Sequence, residues 1–221
     1  MLAASGQAAV VSSVSLGYRG EPGVESKLLV AAQADIMPVA FLAVDAGLSL
    51  NLFQNNGLGA AALGIGTVVY KPVDLTIRLA LQHQQWNDWR AGENRVLGTI
   101  EAGPGRRLDV GIGLIRRAPV FGDGYWSPFT LSAGAAEWNF LYRLRWKFLQ
   151  RETWWLRAGF SSYDVYTAHN PQQFPLEADG AWRLNQYVEM VARVGTAIVG
   201  YSGGLVSFHE VEISAGVKYA F

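Results

Sequence analysis

The segment His209–Phe221, HEVEISAGVKYAF, alternates without interruption. Val211, Ile213, Ala215, Val217, Tyr219 and Phe221 fall on one side, and Glu210, Glu212, Ser214, Gly216, Lys218 and Ala220 on the other. A period of two is the signature of a strand with one apolar and one polar face. Such a strand cannot stand alone, so the rest of the chain has to supply its neighbours.

The same alternation recurs about twelve times along the chain. The apolar and polar parities predict strands over Val10–Tyr18, Glu25–Ala34, Val39–Leu52, Leu58–Tyr70, Leu75–Gln84, Arg95–Ala102, from Leu108 onward, up to Phe148, Thr153–Tyr163, Arg183–Val194, Thr196–Ser202 and the terminal stretch. Gln54-Asn55-Asn56-Gly57, Pro72 with Asp74, and Pro104-Gly105 supply turn chemistry. Links after the even strands are tight, whereas those after three of the odd strands are long. Asp164–Ala181 is expected to be the longest loop. A membrane barrel has short turns on one rim and long loops on the other.

A closing strand that ends on an aromatic residue, Phe221, with Tyr219 two residues earlier, resembles the last strand of bacterial outer-membrane β-barrels. The resemblance implies an all-β, transmembrane, antiparallel up-and-down barrel in the outer membrane. It also implies that Tyr219 and Phe221 are read by the barrel-assembly machinery. Residues 1–9 carry no basic side chain and no long apolar core; they are expected to be a leader remnant or a short periplasmic tail, with residues 10–221 as the barrel.

Composition agrees. No run reaches the ~18 uncharged apolar residues of a membrane helix; Leu28–Val44 is broken by Gln33, Asp35 and Pro38. Lys plus Arg and Asp plus Glu both number 18, so nothing points to nucleic acid. The absence of cysteine excludes disulfides and thiolate sites. A soluble barrel with its apolar face inward is the rival, but a ring of about twelve strands is too wide for its own side chains to fill. No charge falls mid-strand on the apolar parity, where it would cost ~2–4 kcal/mol against lipid.

The polar parity then lines a lumen. Arg78, Glu101, Asp109, Arg143, Arg145, Arg157 and Glu189 lie at similar height and form a candidate charge belt; Lys27, Asp45, Arg117, Glu137, Lys147, Arg193, Glu210, Glu212 and Lys218 face the same space. A tight turn at Leu149–Arg151 predicts Arg143 opposite Arg157, Arg145 opposite Trp155 and Phe148 facing Glu152. A turn over Pro104–Arg106 predicts Glu101 opposite Asp109. Aromatic residues at strand ends predict two interfacial girdles: Trp146, Phe148, Trp154, Tyr219 and Phe221 at the periplasmic side, and Trp86, Trp89, Tyr163, Trp182 and Tyr201 at the outer one.

These features imply passage of small polar or anionic solutes, or of a glycan, with lipid as the surrounding partner and no cofactor or metal. A rim-sited lipid hydrolase or lipid A-modifying enzyme competes, because such barrels work from rim-level His and Ser. His83 and His209 share the apolar parity near the outer rim, His169 lies in the longest loop, and Ser207 is two residues from His209. No third member orients an imidazole there. The acids Asp164, Glu177 and Asp179 read as a solvated loop, and Gly111-Ile112-Gly113 as packing or bore rather than a phosphate loop. Gly124-Tyr125-Trp126-Ser127-Pro128 resembles a loop motif of barrels that export cellulose-like exopolysaccharides. A plugged structural or adhesion barrel is the third class.

Overall fold

A computed structural model describes residues 9–20, 27–39, 41–52, 58–85, 91–103, 107–121, 137–163, 174–202 and 205–221. They form β1 (Ala9–Gly20), β2 (Lys27–Val39), β3 (Leu42–Asn51), β4 (Leu58–Tyr70), β5 (Leu75–Gln85), β6 (Ala91–Ala102), β7 (Leu108–Phe121), β8 (Glu137–Gln150), β9 (Trp154–Ser161), β10 (Phe174–Arg183), β11 (Val188–Ser202) and β12 (Leu205–Ala220). Every strand pairs antiparallel with its sequence neighbours, and β12 pairs with β1 to close the barrel. Closure runs from Val11 opposite Ala220 to Gly20 opposite Val211, and Phe221 N–H donates to the Val10 carbonyl at 2.9 Å. A closed ladder leaves no unpaired edge, which is what a strand protein needs in lipid.

The alternation decides which face is which. Val14, Leu16, Leu63, Ile65, Trp138, Phe140, Trp146, Ile213 and Val217 point outward and exposed, so the apolar band lies on the outside. In water each such side chain would forfeit ~1.5–3 kcal/mol of burial; in a bilayer the same surface is matched. The barrel is therefore a transmembrane one.

Short turns close one rim. After β4, Pro72 sits in a single 3₁₀ turn (Lys71–Val73), and Asp74 takes the left-handed conformation at φ 48° while its N–H donates to the Lys71 carbonyl at 3.1 Å. Between β10 and β11, the Asn185 side chain accepts from Tyr187 N–H at 2.8 Å and Val188 N–H at 2.9 Å, an Asx-type turn.

The count of twelve agrees with expectation, but two errors cancelled within it. Phe174–Arg183 is a wall strand, not loop, so the β9–β10 link ends before Phe174. Pro175, Gly180 and two acids disguise an alternation in which Phe174, Leu176, Ala178 and Trp182 face outward. Conversely, the segments on either side of Gly195 form one continuous strand, β11. Two predicted registers are also corrected. β8 runs on to Gln150, opposite Trp155, and a bulge between Trp146 and Leu149 adds a further shift. Arg143 therefore faces Ser161, and Arg145 faces Gly159. Glu101 faces Gly111, while Asp109 faces Arg145 across the β7–β8 pair.

Candidate functional site: the lumen

Two stretches of the lumen wall differ in kind. On β12 and β1–β4 many inward residues are small, Ser214, Gly216, Ser13, Ser15, Ala60 and Ala62 among them, with Arg19, Asp35, Asp45, Glu212 and Lys218 interspersed. On β5–β9 they are long and charged or bulky, including Arg78, Arg95, Leu97, Ile115, Arg143, Arg145 and Trp155. A cavity of about 400 Å³ lies between these walls, with Ser13, Ser15, Gln33 and Ser214 on one side and Arg78, Arg143, Arg145 and Arg157 on the other.

Three ion pairs step over a whole strand at a glycine. Glu101 on β6 and Arg143 on β8 both sit opposite Gly111 of β7, and Arg143 Nη1 reaches Glu101 Oε2 at 3.2 Å. Arg145 on β8 and Glu177 on β10 both sit opposite Gly159 of β9, and Arg145 Nε donates to Glu177 Oε1. Asp45 on β3 and Arg78 on β5 meet in a bidentate pair across β4, with Nε to Oδ1 at 2.9 Å. A Cβ at Gly64 would fall 2.6 Å from both Asp45 carboxylate oxygens and 2.8 Å from Arg78 Nη2. Side chains on alternate strands of a sheet are normally separated by the one between them. Glycine removes that obstacle.

Adjacent-strand pairs, and one pair that passes over β8 from Arg157 on β9 to Asp109 on β7, complete the network. Arg157 grips Asp179 bidentately, Nε to Oδ1 at 2.9 Å and Nη2 to Oδ2 at 2.8 Å. Arg193 Nη2 lies 2.8 Å from Glu177 Oε2. Asp109 Oδ2 lies 3.5 Å from Arg145 Nη1 and 3.6 Å from Arg157 Nη1. The acids and arginines therefore alternate in the order Asp179, Arg157, Asp109, Arg145, Glu177, Arg193. Burying charge is tolerable only with such pairing, because an unpartnered buried ion costs several kcal/mol.

A second ionic cluster lies toward the long-loop rim. Glu93 accepts from Arg95 Nε at 3.1 Å and Nη2 at 3.3 Å, and from Arg117 Nη2 at 2.9 Å. Arg19 Nη2 pairs with Glu212 at 3.2 Å. Between the tiers lies an apolar layer of Ala80, Leu97, Ile115, Leu141 and Tyr163, all essentially buried. Tyr163 follows the shortest strand and turns into the lumen, 1 % exposed. Its hydroxyl donates to Glu101 at 3.1 Å, Arg143 stacks 4.2 Å over its ring, and Arg143 Nη2 donates to its carbonyl at 3.1 Å.

All seven expected belt residues face the lumen, but their partners differ from those predicted. Glu189 accepts from Trp155 Nε1 at 3.3 Å and sits opposite Lys218. Lys147 lies 4.9 Å over the Trp155 ring. Lys27 is on β2 opposite Arg19. The side chains of Glu137 and Glu210 lie outside the described residues. The acids that hold the belt together, Glu177 and Asp179, were expected in a loop; their same-face spacing with Ala181 on a two-residue period is the signal that would have placed them. Glu93 and Arg95 were likewise missed, although Glu93, Arg95, Leu97, Thr99 and Glu101 share one parity.

The aromatic girdles are also revised. Trp182 sits opposite Trp154 at the short-turn rim, where Tyr219 and Phe221 stack edge to face at 4.5 Å. Tyr163 lies in the lumen rather than at the outer interface. Trp86, Trp89, the Tyr201 side chain, Asp164, His169, the side chains of Ser207 and His209, and Gly124–Pro128 fall outside the described residues. His83 faces outward, with Nδ1 at 2.7 Å from the Asn94 amide oxygen and Nε2 at 3.4 Å from that of Gln85, a pairing with amides rather than with a nucleophile or an acid.

No protein-family model matches the sequence, and no curated protein does. Solved structures match along nearly the whole chain at low identity. An outer-membrane channel from Pseudomonas putida F1 superposes with a TM-score of 0.55 at 6 % identity, covering 97 % of this chain and 96 % of that one. The KdgM porin gives 0.52 at 8 % identity, with 95 % and 99 % covered. Outer membrane phospholipase A from Escherichia coli gives 0.51 at 9 %, with 95 % and 89 % covered. The chain thus has the fold of bacterial outer-membrane barrels, a fold that carries channels and an enzyme alike.

Proposed function

We propose that this protein is an outer-membrane channel that passes small polar or anionic solutes, or a glycan, through its charge-lined lumen. The observation that carries the reading is the cavity of about 400 Å³ bounded by the ionic belt on one side and by Ser13, Ser15, Gln33 and Ser214 on the other. Rings of charged side chains set the selectivity of such pores, and the belt is the constriction. Among the fold neighbours, a KdgM porin is described in complex with disordered oligogalacturonate, which supports the glycan class as one to test. Planar-bilayer recording is the test. Wild-type protein is expected to give discrete conductance steps, and Arg143→Ser with Arg157→Ser to raise conductance and shift selectivity toward cations. A lumen that never conducts, in wild type or double mutant, sinks the channel reading.

One observation favours a second reading, a plugged structural or adhesion barrel. Leu97, Ile115, Leu141 and Tyr163 are buried inside the wall rather than lining water. In that case the belt and the apolar layer together are the plug. Both readings share one partner: Tyr219 and Phe221 present the closing strand to the barrel-assembly machinery. Deleting Phe221 is expected to lower the amount of barrel recovered from cell membranes while leaving refolding in detergent intact, measured by heat-modifiable migration.

A further inference from the structure

Within the belt, Asp109 differs from the four carboxylates that arginines grip directly. Asp179, Glu177, Asp45 and Glu101 each accept hydrogen bonds from arginine. Asp109 is held only at 3.5 and 3.6 Å, beyond good hydrogen-bond length. Its side chain is also among the more exposed of the belt acids at 28 %. Both of its neighbours turn the same kind of group toward it. Arg145 uses Nε on Glu177, and Arg157 uses Nε and Nη2 on Asp179. The Nη1 of each converges on one oxygen, Asp109 Oδ2. Two guanidinium edges, both belonging to residues that line the cavity, thus address a single point that a loosely seated carboxylate occupies.

We propose that this point is an oxyanion seat: Arg145 Nη1 and Arg157 Nη1 take one carboxylate, phosphate or sulfate group of a solute in the lumen, with Asp109 as the built-in competitor it displaces. Two guanidinium donors converging on one point suit an oxygen of an oxyanion, and charge-assisted bonds of this kind are the strong ones. Glu177 and Asp179 keep the two guanidiniums in place while their Nη1 groups change partner. Asp109 supplies a negative charge that empties the seat again, so that binding stays weak enough for release. The seat's place on a transport route rests on the channel reading; its chemistry does not.

Inorganic phosphate titrated into the folded protein in detergent at low salt, followed by calorimetry, tests it. Asp109→Asn is expected to tighten phosphate binding about tenfold or more, since it removes the competitor. Asp35→Asn deletes the same charge from a residue across the cavity and is expected to change binding less than about twofold. Arg157→Gln is expected to abolish the gain made by Asp109→Asn, and Arg157→Lys, which keeps the charge, to restore only part of it. Heat-modifiable migration identifies any variant that fails to fold, and the remaining variants then decide. Equal tightening by Asp35→Asn and Asp109→Asn would mean diffuse attraction and overturn the seat, as would no tightening by Asp109→Asn. A silent bilayer alongside tightened phosphate binding would remove the channel reading and leave the seat standing.

Discussion

The β5–β9 wall and the β12–β4 wall are built from the same alternating strands, yet they spend their inward positions differently. The first packs long side chains into an apolar layer and an ionic network. The second places many Ser, Ala and Gly residues there, with Asp35, Asp45 and Lys218 between them, and the cavity lies against it. The lumen is therefore not a uniform tube. Its bore is decided by which residues alternate inward, and its electrostatics by where glycine lets charges on alternate strands meet.

The largest expected effect comes from closing one of those crossings. A Cβ at Gly159 would run into the Leu144 carbonyl and the Arg145 Cα. Gly159→Val is expected to destabilise the barrel by about 3–5 kcal/mol, combining backbone displacement with the loss of the Arg145–Glu177 pair. Gly195→Ala, whose new Cβ would lie 3.6 Å from its nearest neighbour, is expected to stay within about 1 kcal/mol. Urea unfolding in detergent, read by tryptophan fluorescence, compares them. Similar losses for both would show that the crossings contribute nothing special.

Next in size is Glu177→Gln. Glu177 serves Arg145 and Arg193 together, so its neutralisation weakens two ion pairs of the wall at once. A loss of about 2–4 kcal/mol is expected. Ser15→Ala on the open wall should cost under about 0.5 kcal/mol by the same measurement. Deleting residues 164–181, which the sequence suggested as the longest loop, is expected to abolish the barrel, because Phe174–Ala181 belongs to β10. Shortening within residues 164–173 tests how much of the β9–β10 link the barrel needs.

The contrast between the walls also shows what could be read beforehand. The lipid-facing parity of β12, β5 and β7 is visible in Val211–Phe221, Leu75–Leu81 and Leu108–Leu114, because lipid demands uninterrupted apolar residues on one face. The inward parity of those strands followed from the same pattern, but the inward positions of Glu177, Asp179 and Tyr163 did not. Who pairs with whom did not. Partners depend on register, and register on a bulge between Trp146 and Leu149 that no residue there announces. β10 was hidden because its inward face carries Pro175, Glu177 and Asp179, a composition that suits a loop unless arginines on β8, β9 and β11 are known to meet it. The role of Gly111 and Gly159 was invisible for the same reason: a glycine becomes a crossing only when the strands on both sides place opposite charges beside it.

The smallest expected effect separates the apolar layer from the ionic knot beneath it. Tyr163 belongs to both. Its ring packs with Leu97, Ile115 and Leu141 and carries Arg143 at 4.2 Å, while its hydroxyl reaches Glu101. Tyr163→Phe deletes the hydroxyl and keeps the ring. It also leaves Glu101 with Arg143 Nη1 and with the Thr99 hydroxyl at 3.1 Å, so no carboxylate is stranded. The expected loss is about 0.5–1.5 kcal/mol, with conductance unchanged. Tyr163→Ala removes the ring and its stacking as well, and about 2–4 kcal/mol is expected, together with a larger conductance if the ring narrows the bore. Were the Phe variant as damaging as the Ala variant, the hydroxyl would be the element that closes this half of the lumen, and the packed wall would owe its rigidity to Glu101 rather than to the layer of Leu97, Ile115 and Leu141.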